Sequence, residues 1–190
     1  MNNKFVEDID YKGENYSTTR LKKGEYEHCT FINCNFSNAN LTNSSFMECE
    51  FIDCNLSNAN VTATSFKEVF FKDCKLLGVH FDQCNDFLLA FNFEDCTLSL
   101  SSFYQLKLKK TRFKNCNLEE VDFVEVDVTE AIFDNCNLNR AIFENTILVK
   151  ADLRTSYNFS IDPENNRIKK AKFSKEGISG LLEKYDIVIR

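Results

Sequence analysis

Large apolar residues recur at every fifth position along most of this chain, a period that belongs to neither an α-helix at 3.6 nor a β-strand at 2. One register runs through Leu21, Tyr26, Phe31, Phe36 and Leu41 and on to Phe81; a second runs from Phe93 through Leu98, Phe103 and Leu108 to Leu153. The frame slips by two residues somewhere within 85–91. Two positions before most of these large residues stands a small one, as at Cys29, Cys34, Ala39, Ser44 and later Ala131, Ala141 and Ala151. The other three positions of each pentad are mostly polar. Two residues in five therefore point inward, one large and one small.

A longer period sits on top of the short one. Cys34, Cys54 and Cys74 are spaced by four pentads, as are Cys96, Cys116 and Cys136. Phenylalanines 31, 51, 71 and 91 follow the same rule, and so do 103, 123 and 143. Four pentads then make one closed turn, and like residues stack on successive turns about 4.8 Å apart, the spacing of hydrogen-bonded strands. Such a bore is filled by its own side chains and has no room for a ligand. Val6, Tyr11 and Tyr16 keep the phase of the first register.

Segments such as Cys34-Asn35-Phe36, Ala39-Asn40-Leu41 and Ala151-Asp152-Leu153 resemble the A-(D/N)-L-X-X motif of pentapeptide-repeat proteins. The resemblance covers residues 21–157 and implies an all-β fold, a right-handed quadrilateral β-helix of about seven coils, roughly 30–35 Å long at one strand spacing per coil. Residues 1–20 read as an N-terminal cap or first coil. Residues 158–190 read as a capping module, the pentad phase being lost after Pro163. There Ser174 is placed as a helix N-cap, and Ile178, Leu181, Leu182 and Tyr185 form an apolar face at helical spacing. Residues 186–189 read as a short strand. A helix and strand of this kind are similar to the C-terminal dimerisation module of the Qnr- and MfpA-type group, which implies a homodimer through that face. A monomer cap needs the same apolar face.

Composition narrows the chemistry. Five glycines, one proline and no tryptophan leave the bends of this backbone to other residues. Nine cysteines without an apolar leader segment point to a reducing cytosol rather than a disulfide framework. No apolar run approaches the length of a membrane span. Cys29, Cys34, Cys49 and Cys54 would form a square on two sides and two coils, a set that could hold zinc. The same slot holds Ala, Ser or Thr elsewhere, so packing is the expected role and no metal or cofactor is expected. His28 and His80 fall at outward positions without a nucleophile at a recognisable spacing, and no phosphate loop or nucleophile elbow occurs. The expectation is a protein that is not an enzyme.

Net charge is −6; residues 158–190 carry +2, so residues 1–157 carry −8. In the second half the outward columns Glu94–Lys114–Asp134, Lys110–Glu130–Lys150 and Glu120–Arg140 alternate in sign. In the first half Glu48 stacks under Glu68 and Asp53 under Asp73, and like charges in register destabilise a sheet. These four residues are the candidate recognition face. The Qnr-type resemblance implies a DNA mimic occupying the DNA-binding channel of a partner such as DNA gyrase or topoisomerase IV, bearing on quinolone sensitivity, with no direct binding of nucleic acid. A structural or scaffolding rod with another protein partner is the alternative.

Overall fold

The computed structural model describes residues 4–188. It is a parallel β-solenoid, a right-handed quadrilateral β-helix whose four sides we call faces A to D. Face A begins with β1 (Lys4–Glu7), β3 (Gly24–Glu27), β5 (Ser45–Met47) and β7 (Ser65–Lys67), interleaved in sequence with face B strands β2 (Asp10–Lys12), β4 (Thr30–Ile32), β6 (Glu50–Ile52) and β8 (Val69–Lys72). Face B continues through β9 (Phe91–Glu94), β10 (Arg112–Lys114) and β11 (Ile132–Asp134). Faces C and D, and the later rungs of face A, are held by isolated parallel bridges such as Asn35↔Asn55, Ser102↔Asp122 and Lys107↔Asp127.

Each pentad has the same internal logic. The large central residue and the small one two before it are buried: Phe36, Leu41, Phe46 and Phe51 are fully covered, as are Cys29 and Cys49. The residue two after the centre takes the left-handed backbone conformation, as in Asn38 (φ 56°), Asp53 (φ 52°) and Glu68 (φ 53°). Left-handed corners are tolerated best by Asn and Asp, and they turn the chain where glycine would ordinarily do so. The Asn before the centre closes the corner. Oδ1 of Asn35, Asn40, Asn55 and Asn60 accepts the N–H two residues on at 3.0–3.1 Å. That N–H is at the outer edge of the turn and has no other-coil partner, so the motif's Asn or Asp satisfies it locally.

Inside, rings stack coil on coil. On face B, Tyr11, Phe31, Phe51 and Phe71 lie 4.8–5.1 Å apart and nearly parallel; on face D, Phe81, Phe103, Phe123 and Phe143 lie 5.0–5.5 Å apart. Neighbouring faces meet edge to face, as Phe31 does with Phe36 at 73°. Both arrangements suit the ring quadrupole.

The register slip is local and has a packing cause. Ser65 bridges Asn85 at the ordinary spacing, whereas Val69 pairs with Phe91 and Phe71 with Phe93, two residues further on. Phe91 was expected to stack on Phe71; instead Phe93 does so, at 5.3 Å and 10°. Phe91 occupies the normally small slot above Val69. The reason lies on face A, where the column Tyr26–Phe46–Phe66 ends at Asp86, which is exposed. A carboxylate cannot fill the bore, so the ring of Phe91 fills it, 5.1–6.4 Å from those of Phe66, Phe81, Phe93 and Phe103. The displaced residues Phe87 and Leu88 are 66% and 65% exposed at the surface.

The ends differ from the sequence reading in three respects. Pentad phase survives Pro163: Ile147 bridges Arg167 and Asp152 bridges Lys172, so a further coil stands where the cap was expected to begin. Pro163 takes a centre position in that coil without ending the ladder, because the centre N–H it lacks would bond a further repeat coil, and the chain turns into the cap instead. The expected α-helix is a pair of 3-10 turns, Glu176–Leu181 and Glu183–Tyr185, too short for an α-helical face. Ser174 does cap, its Oγ accepting the N–H of Gly177 at 3.0 Å. Asp186–Val188 forms no strand; Asp186 adopts the left-handed conformation, which ends the last turn. Ile189 lies outside the described residues.

Candidate functional site

The four acidic residues singled out from the sequence lie at corners, because each is the left-handed residue of its pentad. Glu48 and Glu68 mark the corner between faces A and B; Asp53 and Asp73 mark the corner between B and C. The pairs therefore flank face B. Backbone bonds fix the one-rung stacking: Glu48 N donates to Lys67 O at 2.9 Å and Asp53 N to Lys72 O at 2.9 Å. Asp73 N donates in turn to Glu94 O at 3.0 Å, which sets Asp95 on the next rung.

Asp95 was missed in the sequence because the slip hides its alignment; its left-handed φ of 54° and its rung make it the third member of the Asp53–Asp73 column. Asn115 closes that column, donating through Nδ2 to Asp95 Oδ1 at 2.9 Å, and Asn135 donates to Asn115 Oδ1 at the same distance. Among the described residues, no basic group lies within salt-bridge distance of Asp53, Glu68 or Asp73. Glu48 has only His28 Nδ1, at 3.6 Å. Between the two columns face B presents Glu50, Ile52, Phe70 and Lys72, with Phe70 half-buried between its rung neighbours Glu50 and Asn92.

The other half of the rod carries ion pairs along three of its outward columns. Lys114 Nζ lies 3.3 Å from Glu94, Arg140 Nη1 2.9 Å from Glu120 and Lys150 Nζ 2.6 Å from Glu130. The Lys150 ammonium holds the Glu130 carboxyl below its ordinary range. These exposed pairs contribute little stability each.

The cysteine square is a packing feature. Cys34, Cys54, Cys74, Cys96, Cys116 and Cys136 form one column down face C, their thiols directed to backbone carbonyls such as Ile32 O and Phe31 O at 3.2–3.4 Å. Cys29 and Cys49 stand on face B. Burial pushes the Cys49 thiol up to about 12, and burial raises Cys34 as well. Cys54 moves the other way, lowered by its hydrogen bond with Cys74.

At the C-terminal end, Leu181 packs against the core and Leu182 is half-buried, whereas Ile178 and Tyr185 are 45% and 50% exposed. The four do not form one continuous face. The segment is fastened instead by Ile161 N to Gly180 O at 2.9 Å, by Lys184 Nζ between Asp162 and Glu164 at 2.6 and 2.7 Å, and by Tyr185 Oη to Glu164 at 2.9 Å. An open cleft of about 830 Å³ separates it from the last coil, lined by Tyr157, Phe159, Gly177 and Ile187 among others.

With the repeat geometry in place, family comparison is decisive: the model of the pentapeptide repeat region matches residues 19–92 and 88–158. The chain belongs to the pentapeptide-repeat family. A search of curated proteins finds no match. Among solved structures, this pentapeptide-repeat protein is similar to a trypsin-treated variant of QnrB1, a plasmid-mediated fluoroquinolone resistance protein. The two are 18% identical, with a TM-score of 0.62, over 96% of this chain and 99% of that one. HetL, a pentapeptide repeat protein involved in heterocyst differentiation regulation from the cyanobacterium Nostoc sp. strain PCC 7120, is 16% identical with a TM-score of 0.45, over 91% and 88%. At 18% identity the likeness to QnrB1 is one of fold. No helix among the described residues is long and apolar enough to cross a membrane.

Proposed function

We propose that this pentapeptide-repeat protein is a non-enzymatic interaction rod that docks its face B corners into a basic channel of a protein partner, as a mimic of DNA. The observation that carries the reading is the pair of acidic columns flanking face B, Glu48–Glu68 and Asp53–Asp73–Asp95, in which Asp53, Glu68 and Asp73 have no basic partner among the described residues. Like charges held one rung apart raise the energy of the free rod. A positive surface lining a groove relieves that repulsion and steers association, in a salt-sensitive manner. Along each column the charge spacing is about 4.8 Å, against about 3.4 Å along one strand of duplex DNA. The mimicry is therefore of two charged rails rather than of full charge density. DNA gyrase or topoisomerase IV is the concrete partner class, and altered quinolone sensitivity the expected consequence, in a reducing cytoplasm.

The test is a gyrase supercoiling assay with and without quinolone, at two salt concentrations. The wild-type rod is expected to inhibit supercoiling or relieve quinolone poisoning, more strongly at low salt. Charge reversal at Glu48, Asp53, Glu68 and Asp73 together should abolish the effect. Absence of both inhibition and protection at stoichiometric excess overturns the reading, as does full activity of the reversed variant.

A further inference from the structure

Face A carries a charge pattern that shares only Glu48 and Glu68 with the acidic columns flanking face B. Its nine rungs are centred on Val6, Tyr26, Phe46, Phe66, Asp86, Leu108, Val128, Leu148 and Ile168. The fifth of these, the middle rung, is the slipped one that pushes Phe87 and Leu88 into solvent. On the four rungs before it, the exposed and outward positions hold Glu7, Asp8, Glu25, Glu27, Glu48 and Glu68 against Lys4, exposed at the start of β1, and Lys67. Lys67 is drawn over the Phe87 ring, 5.8 Å from its centroid. On the four rungs after it the sign inverts. The sixth rung presents Lys107, Lys109 and Lys110, and the ninth Arg167, Lys169 and Lys170. The carboxylates in between are already neutralised, Asp127 by Lys109 at 3.2 Å and Glu130 by Lys150 at 2.6 Å. Among the described residues, Lys107, Lys110, Arg167, Lys169 and Lys170 have no carboxylate within salt-bridge distance, and Glu7, Asp8 and Glu68 have no basic group there.

We infer that face A is a self-complementary interface and that its partner is a second copy of this chain, docked antiparallel about a two-fold axis through the Phe87–Leu88 rung. Such an axis reverses the rod direction while keeping each corner beside its own kind, so rung one faces rung nine of the partner and rung four faces rung six. Glu7 then opposes Lys169, Asp8 opposes Lys170 and Glu68 opposes Lys110, while Glu48 falls opposite Glu130, whose charge Lys150 already pairs. Phe87 and Leu88 meet their own symmetry mates, which removes an exposed apolar pair from water. An isologous contact of this kind closes on itself, as most homodimers do. The polar residues Ser45 and Ser65, with Phe5 and Met47, line a shallow groove of about 410 Å³ along the acidic half, which gives the long lysine side chains of the basic half a place to lie. Nine rungs make a face about 40 Å long, and five residues make it about 16 Å wide. The pair would bury on the order of 1,200 Å² in total, the lower end of specific interfaces. Its affinity is expected to rest on charge and to fall with salt. Asp53, Asp73 and Asp95 stay outside this contact, so the dimer does not depend on the gyrase reading.

The decisive experiment is sedimentation equilibrium on the full chain with a pair of charge-reversed variants. The wild type is expected to dimerise, with a dissociation constant that rises about tenfold or more between low and physiological salt. Glu7→Lys with Asp8→Lys should be monomeric alone, and so should Lys169→Glu with Lys170→Glu. All four positions are exposed, and circular dichroism confirms that each variant is folded. Mixed together, the two variants should form a heterodimer, because the terminal rungs one and nine are again of opposite sign. Phe87→Asp should weaken the wild-type dimer about tenfold or more. A wild type that stays monomeric at low salt overturns the inference, as does a mixture that fails to associate. So does a dimer that survives both reversals and is lost on Ile178→Asp, which would place the contact at the C-terminal cap.

Discussion

Single residues in this rod are constrained mainly by which of two inward slots they fill. The small slot explains all the cysteines without redox or metal chemistry, and it makes a direct prediction. In the native protein the buried thiols of the face C column should react with a disulfide reagent only at the rate of unfolding, Cys84 being the one partly accessible thiol. All nine should react at once in denaturant. Fast native modification of Cys54 would show that the bore is open. At the surface, Asp152 is the most strongly perturbed carboxylate: hydrogen bonding to Arg154, opposed by partial burial and assisted by Lys172, lowers it to about 2. A depressed carboxyl pKa contributes stability that is present above its unfolded value near 3.8 and is lost as pH falls through about 2. Asp152→Asn keeps the turn-closing acceptor but removes the charge. It should be less stable than the wild type at neutral pH, and the gap in melting temperature should close as the pH approaches 2.

At the scale of elements, the slip and the cap are the two places where the pentad rule is broken, and both are repaired by an aromatic ring. Phe91 replaces the inward group that Asp86 cannot supply. Phe91→Ala should therefore cost about 3–5 kcal/mol, as for other buried Phe truncations, and chemical denaturation would read it directly. A cost under about 1 kcal/mol would mean that the void does not exist. At the cap, Phe159 packs on Phe173 at 5.5 Å and lies over Gly177 and Gly180. A Cβ on Gly180 would fall 2.1 Å from the Phe159 carbonyl oxygen, which is backbone and cannot yield. Gly180→Ala should thus lift the cap from the last coil, with a lower melting temperature and faster proteolysis after Lys175.

For the whole molecule, each coil touches only its neighbours, so stability is close to a sum of nearest-neighbour terms. The weakest joint should lie on face A at the slip. There, among the described residues, no inter-coil backbone hydrogen bond links Asn85, Asp86 or Leu88 to Lys107 or Lys109. Native-state hydrogen exchange is expected to be fastest, within the repeat body, at Asp86–Leu88 and Lys107, and slow at the equivalent amides of Asp127 and Ile147, which are bonded to Leu106 O and Val126 O. Uniform protection along face A would contradict this. The same scale carries the charge asymmetry: the two corners flanking face B hold Asp53, Glu68 and Asp73 without a basic partner among the described residues, and face A is divided into an acidic and a basic end.

The period of five and its multiple of twenty were legible in the residues alone, because a side chain every fifth position must face one bore and a closed turn must stack like on like. Glu48, Glu68, Asp53 and Asp73 could be placed in columns for the same reason. What lay beyond the sequence was anything that breaks the period. The exchange of Phe91 for Phe93 above Phe71 depends on where a two-residue insertion bulges, and that is set by the void beside Asp86. The last coil, running on past Pro163 to Lys172, is fixed by pairing to the coil before it rather than by its own weakened pattern. The 3-10 turns of the cap replace a helix because Gly177 and Gly180 must pass close to Phe159. Periodicity determines the rod; only packing between coils decides where it slips, where it ends and which charges share a face.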